Sequence, residues 1–149
     1  MIGRLNHVGV ATPSIDDSLR FYRETLGVTA VTEKRALPGQ GVSVAFVSLP
    51  NTEIELIEPL GEASTLHAFL AKSPRGGQHH LCFEVDDILA ARHDLQGRGL
   101  QVLGSGEPRI GAHGTPVLFF HPRTTDGLLI EIMETHGGEP RAAAPGGED

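Results

Sequence analysis

Four side chains in this sequence are placed to hold one divalent cation between them: His7, Glu55, His80 and Glu131. Each stands in a stretch that alternates at period two, on the face opposite its apolar neighbours. His7 opposes Val8 and Val10, Glu55 opposes Ile54 and Leu56, His80 opposes Leu81 and Phe83, and Glu131 opposes Ile130 and Ile132. The spacing repeats too, with 48 positions from His7 to Glu55 and 51 from His80 to Glu131. Two imidazoles and two carboxylates suit a divalent metal that keeps positions open for substrate oxygens. The neighbouring candidates have plainer roles. His79 has the parity of Leu81 and Phe83, which marks it as structural, and Cys82 on the His80 face reads as a small cavity-lining residue.

The elements that must position these four residues form a repeat. In each copy a histidine opens an alternating run, a helix-like segment follows, and glycine ends it. His7 and Gly27 lie 20 positions apart, His80 and Gly99 19. The first copy reads as a strand over 5–11, then a helix capped by Ser14 with Ile15, Leu19, Tyr22 and Leu26 on one stripe. Strands follow over 28–32, 42–49 and 53–58. A bridge over 61–77 contains a short helix after Ser64, with Leu66, Phe69 and Leu70 as its buried face. The second copy opens with a strand over 79–85 and a helix capped by Asp86 or Asp87, with Ile88, Ala91, Arg92 and Leu95 at helical spacing. Strands over 100–103, 117–121 and 128–134 complete it. The reading is α+β, one domain over 1–136 with module one at 3–60 and module two at 78–136. From 137 the chain is Gly, Pro, Ala and charge, expected to be a disordered tail.

Bulk properties narrow the function. With 39% hydrophobic and 21% charged residues the composition is that of a globular domain, and a net charge of −7 argues against a nucleic-acid partner. One cysteine excludes an internal disulfide and fits a reducing compartment. No apolar run approaches the roughly 20 residues that span a bilayer. The expectation is a cytoplasmic protein with no membrane association. Arg35, Lys72, Arg75, Arg109 and Arg123, in loops or beside Gly or Pro, are the cationic candidates for a phosphorylated small ligand.

Several segments resemble the vicinal oxygen chelate superfamily and, within it, the methylmalonyl-CoA epimerases. Leu5-Asn6-His7-Val8-Gly9-Val10-Ala11, the strand from Thr52 to Leu60, the Gly77-Gln78-His79-His80 junction and Gly127-Leu128-Leu129-Ile130-Glu131 carry the superfamily pattern. Arg109-Ile110-Gly111-Ala112-His113-Gly114 and Phe120-His121-Pro122-Arg123 look like the epimerases in particular. The resemblance implies two tandem βαβββ modules forming curled half-barrel mixed sheets with helices on the outer face, and a homodimer. It implies a divalent metal (Co, Mn, Ni, Zn or Mg) held at His7, Glu55, His80 and Glu131, and an acyl-CoA substrate. The activity implied is interconversion of (R)- and (S)-methylmalonyl-CoA by proton removal and return at C2 through an enolate-like intermediate. Glu131 is then the expected base, with Glu55, His113 or a water acting from the other face. Some epimerases have a glutamate in the strand resembling 41–46, where this chain has no acid. Arg109, His113 and Arg123 are the expected substrate contacts. The alternatives are a glyoxalase-type isomerase acting on a thiol adduct and a non-catalytic binding module of the same fold.

Overall fold

In the computed structural model the described residues are 1–135, and the expected tail lies outside them. The chain divides into two compact units. Among the described residues, one holds Met1–His7 with 80–135, and the other holds Val8–His79. Strand β1 (Leu5–Ala11) is divided between them, so His7 belongs with the second copy of the repeat and not with the first.

In the Val8–His79 unit, β1 leads to helix α1 (Ile15–Arg20), then β2 (Arg35–Leu37), β3 (Val42–Ser48) and β4 (Glu53–Pro59), with strands in the order β2, β3, β4, β1. Helix α2 (Leu66–Lys72) follows. The other copy runs β5 (Gly77–Val85), α3 (Ile88–Gly97), β6 (Arg109–Ile110), β7 (Pro116–Phe120) and β8 (Ile130–Glu134). Its strands lie in the order β5, β8, β7, β6, with β5 and β8 parallel and the remaining pairs antiparallel. Each copy is therefore a βαβββ module with a curled half-barrel sheet, the α+β fold expected.

Helices α1 and α3 form where the sequence offers caps. Ser14 Oγ accepts from the Asp17 amide at 3.2 Å, and an Asp87 carboxylate oxygen accepts from the Ala90 amide at 3.0 Å. Ile15 and Leu19 pack with Ala45, Val47 and Leu56 in one core, while Ile88, Ala91 and Leu95 pack with Leu118, Phe120 and Ile132 in the other. One expected stripe breaks. After α1 the chain makes a wide π turn over Phe21–Thr25, which delays the helical phase, so Leu26 is 56% exposed instead of completing the apolar face. Two expected strands are also absent: 28–32 and 100–103 each make one isolated bridge, Val31 to Val47 and Val102 to Phe120. Val28, Val31, Leu100 and Val102 are apolar because they pack against the two cores, a signal that periodicity cannot separate from strand pairing.

The duplication extends to single atoms. Glu58 and Glu134 each stand three residues after the acidic candidate of their closing strand. A carboxylate oxygen of each accepts the first helical amide of its own copy: Ile15 N to Glu58 at 3.3 Å and Ile88 N to Glu134 at 3.0 Å. The first amides of a helix lack intrahelical partners, and their partial positive charge favours a carboxylate. Each closing strand thus fixes the start of its own helix.

Gly76 marks the tightest backbone approach. Its φ is +86°, and an added Cβ would lie 2.1 Å from the Ala11 carbonyl oxygen. Gly27 has a similar φ of +71° with open space around it. Gly27→Ala should cost about 1–2 kcal/mol from backbone strain alone. Gly76→Ala should cost more by roughly a further 1–3 kcal/mol, because a fixed carbonyl must move. Thermal denaturation of the two variants checks the order, and equal losses would show that the close approach does not matter.

Candidate metal centre

The centre is built on β8. Glu131 is its second residue, opposite Cys82 on β5 and Phe119 on β7, so the sheet register brings both flanking strands to it. His80 stands two residues before Cys82 on the same strand face, and His7 comes from the start of β1. All three are buried: His7 is 1% exposed, His80 4% and Glu131 6%. Their tips converge. His7 Nε2 lies 3.0 Å from Glu131 Oε1 and 3.2 Å from His80 Nε2, and His80 Nε2 lies 3.5 Å from the same carboxylate oxygen.

The protons cannot satisfy this triangle without help. His7 Nδ1 is 2.7 Å from Asn6 Oδ1, and the Asn6 amide nitrogen donates to Glu84 Oε2 at 3.1 Å. An ionised carboxylate only accepts, so the amide nitrogen belongs on the Glu84 side and the amide oxygen faces His7. His7 then carries its proton on Nδ1, and a neutral ring presents a lone pair at Nε2. That lone pair faces Glu131 Oε1, which makes no well-directed hydrogen bond. Close acceptors in a buried site require a cation among them, whether a proton or a metal. Ligand atoms held about 2.0–2.2 Å from one metal stand roughly 2.9–3.5 Å apart. The observed separations of 3.0, 3.2 and 3.5 Å fall in that span, so the residues present fit a divalent ion.

Two further groups flank the triangle. The His113 ring stacks on His7 with centroids 5.7 Å apart and planes at 12°, and Phe119 meets the His80 ring edge to face at 5.5 Å. Cys82 is fully buried, and its sulfur belongs to a second possible metal-holding group with His7 and Glu131. It packs with Val117 and Met133, in keeping with the apolar role expected of it.

The other expectations are placed as follows. His79 is turned to Phe69, with ring centroids 5.2 Å apart, as its parity implied. Glu55 lies on β4 of the other unit, opposite Phe46 and 8% exposed, so it is not a solvated surface acid. Arg109 on β6 and Arg123 in the 3₁₀ turn Pro122–Thr124 are exposed. Two buried residues went unread in the sequence, Asn6 and Glu84, each 4% exposed. Glu84 has the parity of His80 and Cys82, a signal that was available. Asn6 gave none, because adjacent strand residues ordinarily point to opposite faces.

The family model for the Glyoxalase/Bleomycin resistance protein/Dioxygenase superfamily matches residues 6–119. The ethylmalonyl-CoA/methylmalonyl-CoA epimerase of Cereibacter sphaeroides is 55% identical over 134 residues, covering 90% of this chain and 99% of that protein. The mitochondrial methylmalonyl-CoA epimerase of Mus musculus is 50% identical over 133 residues, covering 89% of this chain and 74% of its own length. A solved methylmalonyl-CoA epimerase in complex with methylmalonyl-CoA and ammonium superposes with a TM-score of 0.83 at 31% identity, covering 95% of this chain and 100% of that one. The chain belongs to the methylmalonyl-CoA epimerases of this superfamily. Among the described residues no helix is long and apolar enough to cross a membrane.

Electrostatics hold Glu131 ionised. Burial pushes its carboxyl up, but in metal-free protein, with protons in the cation's place on the facing imidazole nitrogens, hydrogen-bonding and charge interactions with His7 and His80 outweigh this and leave it well below the usual carboxylate range. The group binds a proton less readily folded than unfolded, so its contribution to stability is present above about 4.5, its ordinary value, and is lost as pH falls toward the depressed one. Metal-free protein should therefore lose stability through that acid range, and Glu131→Gln should lack this component. Denaturant titrations at stepped pH test it; parallel profiles for the two proteins would refute it.

Proposed function

We propose that this protein is a divalent-metal-dependent epimerase interconverting (R)- and (S)-methylmalonyl-CoA. The observation that carries the reading is the buried convergence of His7 Nε2, His80 Nε2 and Glu131 Oε1 within 3.5 Å in a chain of this family. We further assign Glu55 as the fourth ligand. Its burial, its parity on β4 and the family pattern support the assignment.

A bound divalent cation would supply Lewis-acid charge against the negative charge that develops on substrate oxygens as C2 loses its proton. The residues do the rest. His7 and His80 contribute neutral nitrogen donors, which leaves the site's negative charge to the carboxylates. Glu131, kept ionised, takes the proton from C2; its weak basicity is tolerable because the flanking carbonyl groups already acidify that position. The segment 41–46 holds no acid, so return from the opposite face falls to Glu55. His113, lying flat on His7, orients the substrate carboxylate, and Arg109 and Arg123 meet the phosphates of the acyl-CoA. A cytoplasmic homodimer belongs to the same proposal.

The test is solvent deuterium incorporation at C2, with metals returned one at a time to chelated protein. Exchange should require the metal, and Glu131→Gln and Glu55→Gln should each slow it by about 10²–10⁴-fold, the usual contribution of a general base. His113→Ala should raise KM more than it lowers kcat. Ethylmalonyl-CoA belongs in the same assay, since the Cereibacter sphaeroides relative bears its name. Turnover of a hemithioacetal by metal-loaded protein that leaves methylmalonyl-CoA unexchanged would overturn the reading in favour of a glyoxalase-type isomerase.

A further inference from the structure

We infer that Asn6 and Glu84 form a buried relay that fixes the tautomer of His7 and so sets the metal affinity of the centre. Both are positioning residues, acting through His7 without touching substrate. This rests on the metal centre proposed above, and only on its His7 ligand.

The geometry gives the relay a direction. Glu84 is anchored by its backbone, whose carbonyl accepts from the Gly3 amide at 2.8 Å and whose amide donates to the Arg4 carbonyl at 2.9 Å. The approach there is close: a Cβ on Gly3 would stand 3.0 Å from the Glu84 carbonyl oxygen. The Glu84 carboxylate, acceptor only, draws the Asn6 amide nitrogen to 3.1 Å. That choice turns Asn6 Oδ1 toward His7 Nδ1 at 2.7 Å, where only a protonated Nδ1 makes a hydrogen bond. The Nε2 lone pair is then committed to the His80 and Glu131 side. Without Glu84 the amide can turn over and present its nitrogen to His7, which favours the tautomer protonated at Nε2 and blocks ligation. Outer partners of metal-bound imidazoles typically change affinity by about 10–100-fold. A buried acid that neither ligates nor caps a helix is thereby given a role, and so is the asparagine beside the first histidine.

Two variants of Glu84 separate this relay from simple packing. Glu84→Gln keeps a carbonyl oxygen that accepts from Asn6, whereas Glu84→Leu removes every acceptor. Zn²⁺ affinity by chelator competition should fall about 10–100-fold in Glu84→Leu and in Asn6→Ala, and stay near wild type in Glu84→Gln. Imidazole ¹⁵N correlation spectra of the metal-free wild type at alkaline pH should show His7 protonated at Nδ1, with the Nε2 form growing in Glu84→Leu. The wild-type spectrum decides even if a variant fails to fold: His7 found protonated at Nε2 overturns the relay. So does a folded Glu84→Leu that binds Zn²⁺ like wild type. Neither readout uses epimerase turnover, so a protein with this tautomer but no exchange at C2 would refute the proposed function and leave the relay standing.

Discussion

A carboxylate oxygen buried 3.0 and 3.5 Å from two imidazole nitrogens is an arrangement that packing alone does not sustain. Removing such groups from water is expensive, and only charge compensation and well-directed hydrogen bonds recover the loss. Here the compensation is built in layers. The sheet register puts Glu131 between Cys82 and Phe119, so apolar neighbours exclude water on both sides. His7 and His80 then supply the nitrogen donors, and the Asn6 and Glu84 side chains behind His7 settle which of its nitrogens faces the carboxylate. The electrostatic constraint thus reaches back from one atom of β8 to the start of β1 and the end of β5.

This constraint gives meaning to the division of the chain. A repeat read from sequence assigns His7 to the first copy, because its strand leads directly into the first helix. The structure assigns Met1–His7 to the unit that contains His80. Two histidines from the openings of two copies therefore stand in one compact unit, and their nitrogens approach to 3.2 Å. Strand β1 is where the repeat stops being two independent modules: its first residues serve one unit and its last residues the other.

Much of this was legible in the sequence, and the reasons are specific. Period-two alternation placed His7, His80 and Glu131 on the faces they occupy, and the same rule turned His79 away, toward Phe69. Ser14 and the pair Asp86 and Asp87 announced the helix starts because a short polar side chain before an apolar stripe has one common use, and of the pair the structure uses Asp87. What failed were inferences that needed tertiary context. The run 28–32 has strand composition, yet its valines face a core without forming a ladder, and Leu26 kept helical spacing only until the π turn delayed it. Asn6 escaped notice because its contact with the next residue breaks the alternation on which the other assignments relied.

The duplication also shows where symmetry is kept and where it is dropped. Glu58 and Glu134 hold equivalent places and perform the same task, each accepting the first amide of its own helix. That task concerns the fold alone, and every copy of the module has to solve it. The residue before each histidine has diverged: Asn6 in one copy reaches Glu84 and His7, while His79 in the other turns to an aromatic ring. A cation bound by two imidazoles needs both lone pairs directed at it, but it does not need them directed by the same means. On the other side of the site, the His80 ring approaches His7 and Glu131 through Nε2 and meets Phe119 edge to face. The repeat could therefore lose its symmetry behind one histidine while keeping it wherever a helix must be anchored to a strand.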